Sequence, residues 1–388
     1  MPADRPGLYV HVPFCSAICP YCDFAVARDR PENHRAYVDG LVSEMEQIRG
    51  WDAPFDTVYF GGGTPSCLEP RLLEEMLAAL RRRFRLGDAR VFLEANPEDI
   101  DAAAVSSWQD LGIVGVSLGA QSFDAARLRF LGRGHSPSQA RRAVEDCVSA
   151  GLDWVSVDLM YGFPLDAGLE PSASVFDVEI ASQLEPHHVS AYQLSVEPAT
   201  VFGRRAASGE LVELGETPQA EAFVAVHEAL AAHGYDAYEV SNFARVPESR
   251  SRHNQKYWRG VAYLGLGPSA HSHRDGERWW NIRNWADWAD RLRDGQSPVA
   301  DREVLTTTQR ALEELLLSLR TTGGLDLAAF RARHGVDLGV SNGERFAQWS
   351  SVGLAEVVES SVVLTRRGLA LADGLAASVE IPEVHSDG

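Results

Sequence analysis

The sequence has little with which to enter a membrane, build a disulfide framework or grip nucleic acid. No apolar run in its 388 residues approaches the roughly 20 that a membrane span needs. Basic residues are in short supply, 36 Lys and Arg against 55 Asp and Glu. The formal net charge of -19 repels phosphate backbones and anionic head groups, so no nucleic-acid partner is expected. The opening residues, Met1-Pro2-Ala3-Asp4-Arg5-Pro6, hold no apolar signal-peptide core, and the expected compartment is the cytoplasm. Five cysteines are too few to scaffold so long a chain, and in a reducing compartment thiols serve metals or catalysis. Internal repeats and long low-complexity tracts are absent, which excludes a solenoid.

What is present is an alternation. Strand-like runs at Leu8–Val12, Thr57–Phe60, Val91–Ala95, Val114–Leu118, Trp154–Leu159 and His188–Gln193 are separated by amphipathic stretches. The latter cover Glu32–Arg49, Arg71–Phe84, Ala102–Leu111, Ser136–Ala150 and Val175–Leu184. Such alternation implies an α/β fold of parallel strands joined by right-handed crossovers. Six units are too few for a closed eight-fold barrel. A partial (β/α)6 barrel and an open doubly wound sheet are the two candidates, and polar motifs favour the barrel. Cys15, Gly61-Gly62-Gly63-Thr64-Pro65, Glu94, Gln121 and Asp158 fall at or just beyond the ends of successive strands. Barrel enzymes gather functional groups on that one mouth.

The expected divisions are residues 1–240 for the barrel, 241–305 for an aromatic and glycine-rich segment packing on it, and 306–388 for a terminal module. Tyr235–Val240 reads as one further strand. Within the module, three helical stretches precede two short Val-rich runs that bracket a turn, a winged-helix-like order without the basic recognition helix of a DNA reader. The tail from Val379 is polar and expected to fray.

Three cysteines crowd into Cys15-Ser16-Ala17-Ile18-Cys19-Pro20-Tyr21-Cys22. Thiolates match iron–sulfur clusters and zinc. Zinc sites favour paired Cys-x-x-Cys units, and electron-carrying clusters usually take four cysteines. Three on one tight loop therefore read as ligands of a [4Fe–4S] cluster with one iron left for a substrate. Cys67 and Cys147 have no ligand-like neighbours in sequence.

The Cys-x3-Cys-x2-Cys spacing, with an aromatic before the last cysteine, resembles the signature of the radical-SAM superfamily. Tyr-x-His-x-Pro-Phe-Cys, Gly-Gly-Gly-Thr-Pro-Ser, Glu-Ala-Asn-Pro-Glu, Leu131-Gly132-Arg133-Gly134-His135 and Asp158-Leu159-Met160-Tyr161-Gly162-Phe163-Pro164 follow in order. Together they resemble the family of anaerobic coproporphyrinogen III dehydrogenase, from Leu8 to about Leu375. The resemblance implies that Cys15, Cys19 and Cys22 hold the cluster. It also implies that Tyr9, Tyr21, Gly62, Gly63, Thr64, Glu94, Gln121, Arg133 and Asp158 bind S-adenosylmethionine. No residue is assigned a catalytic role.

Two departures set the chain apart from the dehydrogenase it resembles. Phe24 stands where that enzyme has a further cysteine, and Cys15 lies too near the first residue for the dehydrogenase's long leading segment. The pattern is nearer to the family's heme-chaperone branch, whose His-Asn-x-x-Tyr-Trp marker is matched by His253-Asn254-Gln255-Lys256-Tyr257-Trp258. That branch implies bound heme with His253 as a ligand, membrane-embedded respiratory hemoproteins as recipients, and a possible homodimer. The alternatives within the wider family are oxidative decarboxylation of coproporphyrinogen III and radical methyl transfer.

Overall fold

The computed structural model describes residues 4–164 and 173–382. Six parallel strands lie side by side in chain order: β1 (Gly7–Val12), β2 (Thr57–Gly62), β3 (Arg90–Ala95), β4 (Ile113–Gln121), β5 (Trp154–Tyr161) and β6 (His188–Gln193). Each strand alternates. Leu8, Val10 and Val12 of β1 are wholly buried under the crossover helices, while Tyr9 and His11 point the other way. The expected partial (β/α)6 barrel is therefore the architecture. The helices α1 (Pro31–Gln47), α2 (Pro70–Arg83), α3 (Ala102–Asp110), α4 (Ala125–Phe130), α5 (Pro137–Ser149) and α6 (Ala173–Gln183) lie within two residues of the sequence expectation, apart from the extra turn α4. Pro at the first turn of α1, α2 and α5 sets their starts, and Ser136 with Gln139 closes a capping box on α5.

The expected strand Tyr235–Val240 takes a different form. Only β7 (Asp236–Ala237) forms, and it pairs antiparallel with β8 (Asn242–Ala244), which runs antiparallel to β6. Glu239 turns back to accept from the Ser241 N–H (2.7 Å) and the Asn242 amide (2.6 Å), and this breaks the strand. The stretch expected merely to pack on the barrel instead extends its sheet. β9 (Tyr263–Leu266) lies parallel to β1 on its free edge, and β10 (His271–Arg274), β11 (Glu277–Asn281) and β12 (Val299–Val304) continue outward as an antiparallel meander. Its strands are four to six residues long, too short to show a period against so many aromatics.

The last part follows the winged-helix order. A helix (Thr307–Leu319), a two-residue strand (Leu325–Asp326), two helices (Leu327–His334, Leu338–Ser351) and a hairpin (Ala355–Val358, Ser361–Leu364) precede two short helices. The tail is not loose at its start: Val379 is buried, and Glu380 exchanges two hydrogen bonds of 2.9 Å with Asn342. From residue 383 on, the expected frayed tail lies outside the described residues.

Candidate functional site

The cysteine loop leaves β1 and folds across the C-terminal strand ends. Cys22 N–H donates to the Cys19 carbonyl (3.1 Å), and Tyr21 turns onto Phe202, anchoring the loop to an apolar patch with Leu131, Met160 and Phe163. Tyr21 is thus partly buried against that patch. The Cys15 thiol is buried, and burial pushes it up to about 11 although Thr64 Oγ1 donates to it at 3.5 Å. Arg133 Nη1 reaches the Cys19 sulfur at 3.5 Å.

Behind the thiols the strand ends form one network. Asn96 donates to Thr64 Oγ1 (3.2 Å), and Arg133 donates to Asn96 Oδ1 (2.5 Å) and to the Gly119 carbonyl (2.8 Å). Gln121 adopts a left-handed φ of 64° at a bulge in β4 that aims its side chain back over Gly119. Thr64, Gln121 and Arg133 are thus brought together. Asn96 was not singled out from sequence, although it sits in the Glu-Ala-Asn-Pro strand end that should have flagged it.

Gly62 and Gly63 are each held to glycine by their immediate neighbours. A Cβ on Gly62, whose φ is 109°, would stand 2.5 Å from the His11 ring. One on Gly63 would stand 2.6 Å from the Phe14 carbonyl. Gly62 is therefore glycine because of the His11 ring of β1, and Gly63 because the cysteine loop crosses it, bonded through Gly63 N to Val12 O (2.8 Å) and Thr64 N to Phe14 O (2.7 Å).

Deeper in the lumen lie two carboxylates. Glu94 accepts from Gly62 N–H (2.9 Å), and burial pushes its carboxyl up to about 7. Asp158 accepts from Ser117 Oγ (3.1 Å), and burial holds it near 6. With Tyr9 they line a cavity of about 230 Å³. Its floor, at the N-terminal strand ends, is aromatic: Tyr59, Trp154, His188 and His253. Gly115 leaves room for Phe92, which packs edge-on against Trp154, since a Cβ there would meet the Phe92 ring at 2.8 Å.

His253 belongs to that floor and not to the mouth. Its Nδ1 shares a hydrogen bond with Thr57 Oγ1 (2.9 Å), and its Nε2 with the Tyr257 hydroxyl (2.9 Å). Its ring stacks on Tyr59 at 5.2 Å, and burial pushes the imidazole down to about 3. The i, i+4 pairing with Tyr257 is as the sequence implies, on a short helix (Asn254–Trp258). Both ring nitrogens are thus engaged by side chains of the floor. Lys256 pairs with Asp56 (2.6 Å) and Trp258 packs on Tyr238, so the whole marker nails this segment under the barrel. Cys147 is core, but Cys67 does have ligand-like neighbours: its sulfur and donor atoms of Asp29 and His34 lie within 4.8 Å of one another.

Residues 9–198 match the family model of the radical SAM superfamily, and residues 305–371 that of the HemN C-terminal domain. The chain is 37% identical over 391 residues to the heme chaperone HemW of Mycobacterium tuberculosis, covering 98% of this chain and 96% of the relative. It belongs to the HemW family. The HemW of Bacillus subtilis is 31% identical over 364 residues, covering 93% and 95% of the two chains. In three dimensions this HemW-family chain superposes on coproporphyrinogen III oxidase (HemN), a radical SAM enzyme from Escherichia coli, with a TM-score of 0.81 at 20% identity. That match covers 96% of this chain and 90% of the other and concerns the fold.

Radical-SAM membership implies a [4Fe–4S] cluster and S-adenosylmethionine, and the donor set of this HemW-family chain fits both. Three thiols share one loop beside a buried guanidinium. Among the described residues, Arg133 Nε is buried without a hydrogen-bond partner, as suits an anion brought by a ligand. No helix among the described residues is long and apolar enough to cross a membrane.

Proposed function

We propose that the chain is a heme chaperone that holds a [4Fe–4S] cluster on Cys15, Cys19 and Cys22 and binds S-adenosylmethionine above the lumen. Tyr9, Gly62, Gly63, Thr64, Glu94, Gln121, Arg133 and Asp158 form that cofactor wall. Arg133 pairs the methionine carboxylate through its buried Nε, which has no partner among the described residues, and Glu94 and Asp158 accept from amino or ribose groups. The cluster, once bound, supplies one-electron chemistry next to the methionine. Heme is the cargo, and membrane-embedded respiratory hemoproteins, met from the cytoplasmic face, are its recipients. A homodimer belongs to the same reading.

The observation that carries this is the convergence of Thr64, Asn96 and Arg133 on the cysteine loop, in a chain alike over nearly its whole length to heme chaperones. The test is anaerobic reconstitution followed by two assays side by side. Stoichiometric heme uptake with no oxidation of coproporphyrinogen III is the expected result. Turnover of coproporphyrinogen III without heme uptake would replace the chaperone reading by the dehydrogenase one.

A further inference from the structure

The mouth of the barrel has an outer wall that the cofactor residues do not use. A cavity of about 320 Å³ is bounded on one side by Tyr9, Gly62 and Glu94 and on the other by Phe24, His271 and Arg283. A second cavity, of about 590 Å³, shares Phe24, Ala25 and Arg283 with it. Pockets that bury most of a small ligand run from roughly 300 to 1,000 Å³, and this pair falls within that range.

Three groups on this wall are kept ready at some cost. Phe24 follows the cysteine loop and is 68% exposed, although a ring of its size is usually buried. His271 opens β10 exposed while its neighbour Ser272 is wholly buried. Its ring lies over Trp280 at 5.7 Å and 23°, which fixes its plane. The lumen-side histidines His11, His135, His188 and His253 all spend both ring nitrogens or share them with neighbours. His271, by contrast, makes no ring hydrogen bond among the described residues. Partial desolvation of the ring, together with Arg278, lowers its pKa and so favours the neutral imidazole. Arg283 is 62% exposed; it donates to the Asp23 carbonyl and, at 3.3 Å, to its carboxylate. That tie spans from the meander to the cysteine loop and leaves further N–H groups facing the cavities.

The turn before His271 is strained and braced. Ser269 holds a left-handed φ of 60°, a conformation that a non-glycine residue keeps only where its surroundings enforce it. Ser269 N–H donates to the Ile282 carbonyl (2.8 Å). Buried Glu44 takes the Gly267 N–H (2.8 Å), and Asn281 donates to both Glu44 and the Gly267 carbonyl.

We propose that this outer wall is the heme site: His271 ligates the iron, Phe24 packs on the macrocycle, and Arg283 pairs with a propionate. An apolar disc bearing one metal and two carboxylates calls for an unspent imidazole, an exposed ring and a cation, and here one continuous space joins all three. The inference rests on the heme-carrying reading above and names the site within it. It sets the cargo directly beside the cofactor wall, with Tyr9 and Glu94 as the shared partition.

The experiment is a hemin titration of the anaerobically reconstituted full chain, followed in the Soret region, for the parent, His271→Ala, Arg283→Gln and His253→Phe. We expect His271→Ala to shift the Soret maximum and weaken binding at least tenfold, with added imidazole restoring the parent spectrum. Arg283→Gln should weaken binding several-fold at an unchanged maximum, and His253→Phe should leave the spectrum as it is. A parent that takes up no heme would end the chaperone reading and this site with it. A parent that binds heme while His271→Ala keeps both spectrum and affinity would overturn this site alone. Loss of the parent spectrum in His253→Phe, with His271→Ala unaffected, would return the iron to the floor.

Discussion

At the C-terminal ends of the parallel strands Arg133 keeps a buried nitrogen that has no hydrogen-bond partner among the described residues, and three thiols share one loop, whereas at the N-terminal ends His253 has both ring nitrogens engaged. The floor is closed in the same way throughout. The Trp154 indole donates to the Ser249 carbonyl (2.7 Å), His188 lies between Ser156 (2.7 Å) and Tyr238 (2.8 Å), and Lys256 reaches the Arg5 carbonyl (2.8 Å). Polar groups at the floor satisfy one another, while those at the mouth are held in place with capacity left over. The difference shows that residue type does not identify a ligand. A histidine or arginine serves a ligand only where its own protein has not already used its atoms.

The largest effect should come from the mouth. Replacing Cys15, Cys19 or Cys22 with Ala removes a donor from a loop that has three. After anaerobic reconstitution, iron and sulfide should approach about four each per parent chain and fall sharply in every variant. A triple variant that still holds a full cluster would erase the contrast between the two ends.

The floor should respond with stability in place of ligand binding. His253→Phe keeps the stack on Tyr59 but strips partners from the buried Thr57 Oγ1 and the half-buried Tyr257 hydroxyl. Leaving a buried donor or acceptor unsatisfied costs about 1–3 kcal/mol, so a loss of about 2–4 kcal/mol is expected in chemical denaturation. An unchanged denaturation midpoint would mean that the two hydrogen bonds do not fasten the segment.

These two sites also show where the sequence is legible. Cys15, Thr64, Glu94, Gln121 and Asp158 could be singled out because each stands near or just beyond the end of a strand that alternation alone locates, and parallel strands bring all such ends to one side; Arg133, which follows the short helix α4, came from the family resemblance alone. The six strands and their helices follow from the same periodicity. His253 could not be placed, because the direction in which a side chain points from a five-residue helix depends on what that helix packs against. Strands β9 to β12 were missed since pairing with β1 is a long-range event, and Tyr263, Trp279 and Trp280 obscure their period. The packing that holds Gly62 and Gly63 to glycine was hidden too, because the His11 ring and the crossing loop that exclude a Cβ are brought there by tertiary structure.

A smaller effect should separate the two walls of the mouth. Asp158→Ala and Gln121→Ala should each weaken S-adenosylmethionine while leaving the cluster intact. Losing one hydrogen bond to a charged group costs about 1.5–3 kcal/mol, or roughly 10- to 150-fold in affinity. Calorimetry on the cluster-loaded chain reads this directly. Equal affinities in parent and both variants would remove these residues from the cofactor wall.

The smallest effect concerns the scaffold of the outer wall. Glu44 is buried and accepts from Gly267 N–H and the Asn281 amide, and burial still lifts its carboxyl from 4.5 to about 8. A group whose pKa rises on folding binds its proton more tightly in the folded chain, so unfolding releases it. The stability linked to Glu44 is therefore fully present below about 4.5 and is lost as pH rises through about 8. Denaturation midpoints of the parent should fall across that window. Glu44→Gln keeps an acceptor for Gly267 but turns an amide toward Asn281, which removes the proton linkage at a pH-independent cost of about 1 kcal/mol. Parent and variant should thus differ most at low pH and converge, or cross, as pH rises. The raised carboxyls of Glu94 and Asp158 add slope of the same sign to both proteins and cancel in the difference. Parallel pH profiles would show that Glu44 titrates as it would in water, and that the brace behind Ser269 and His271 does not depend on its proton.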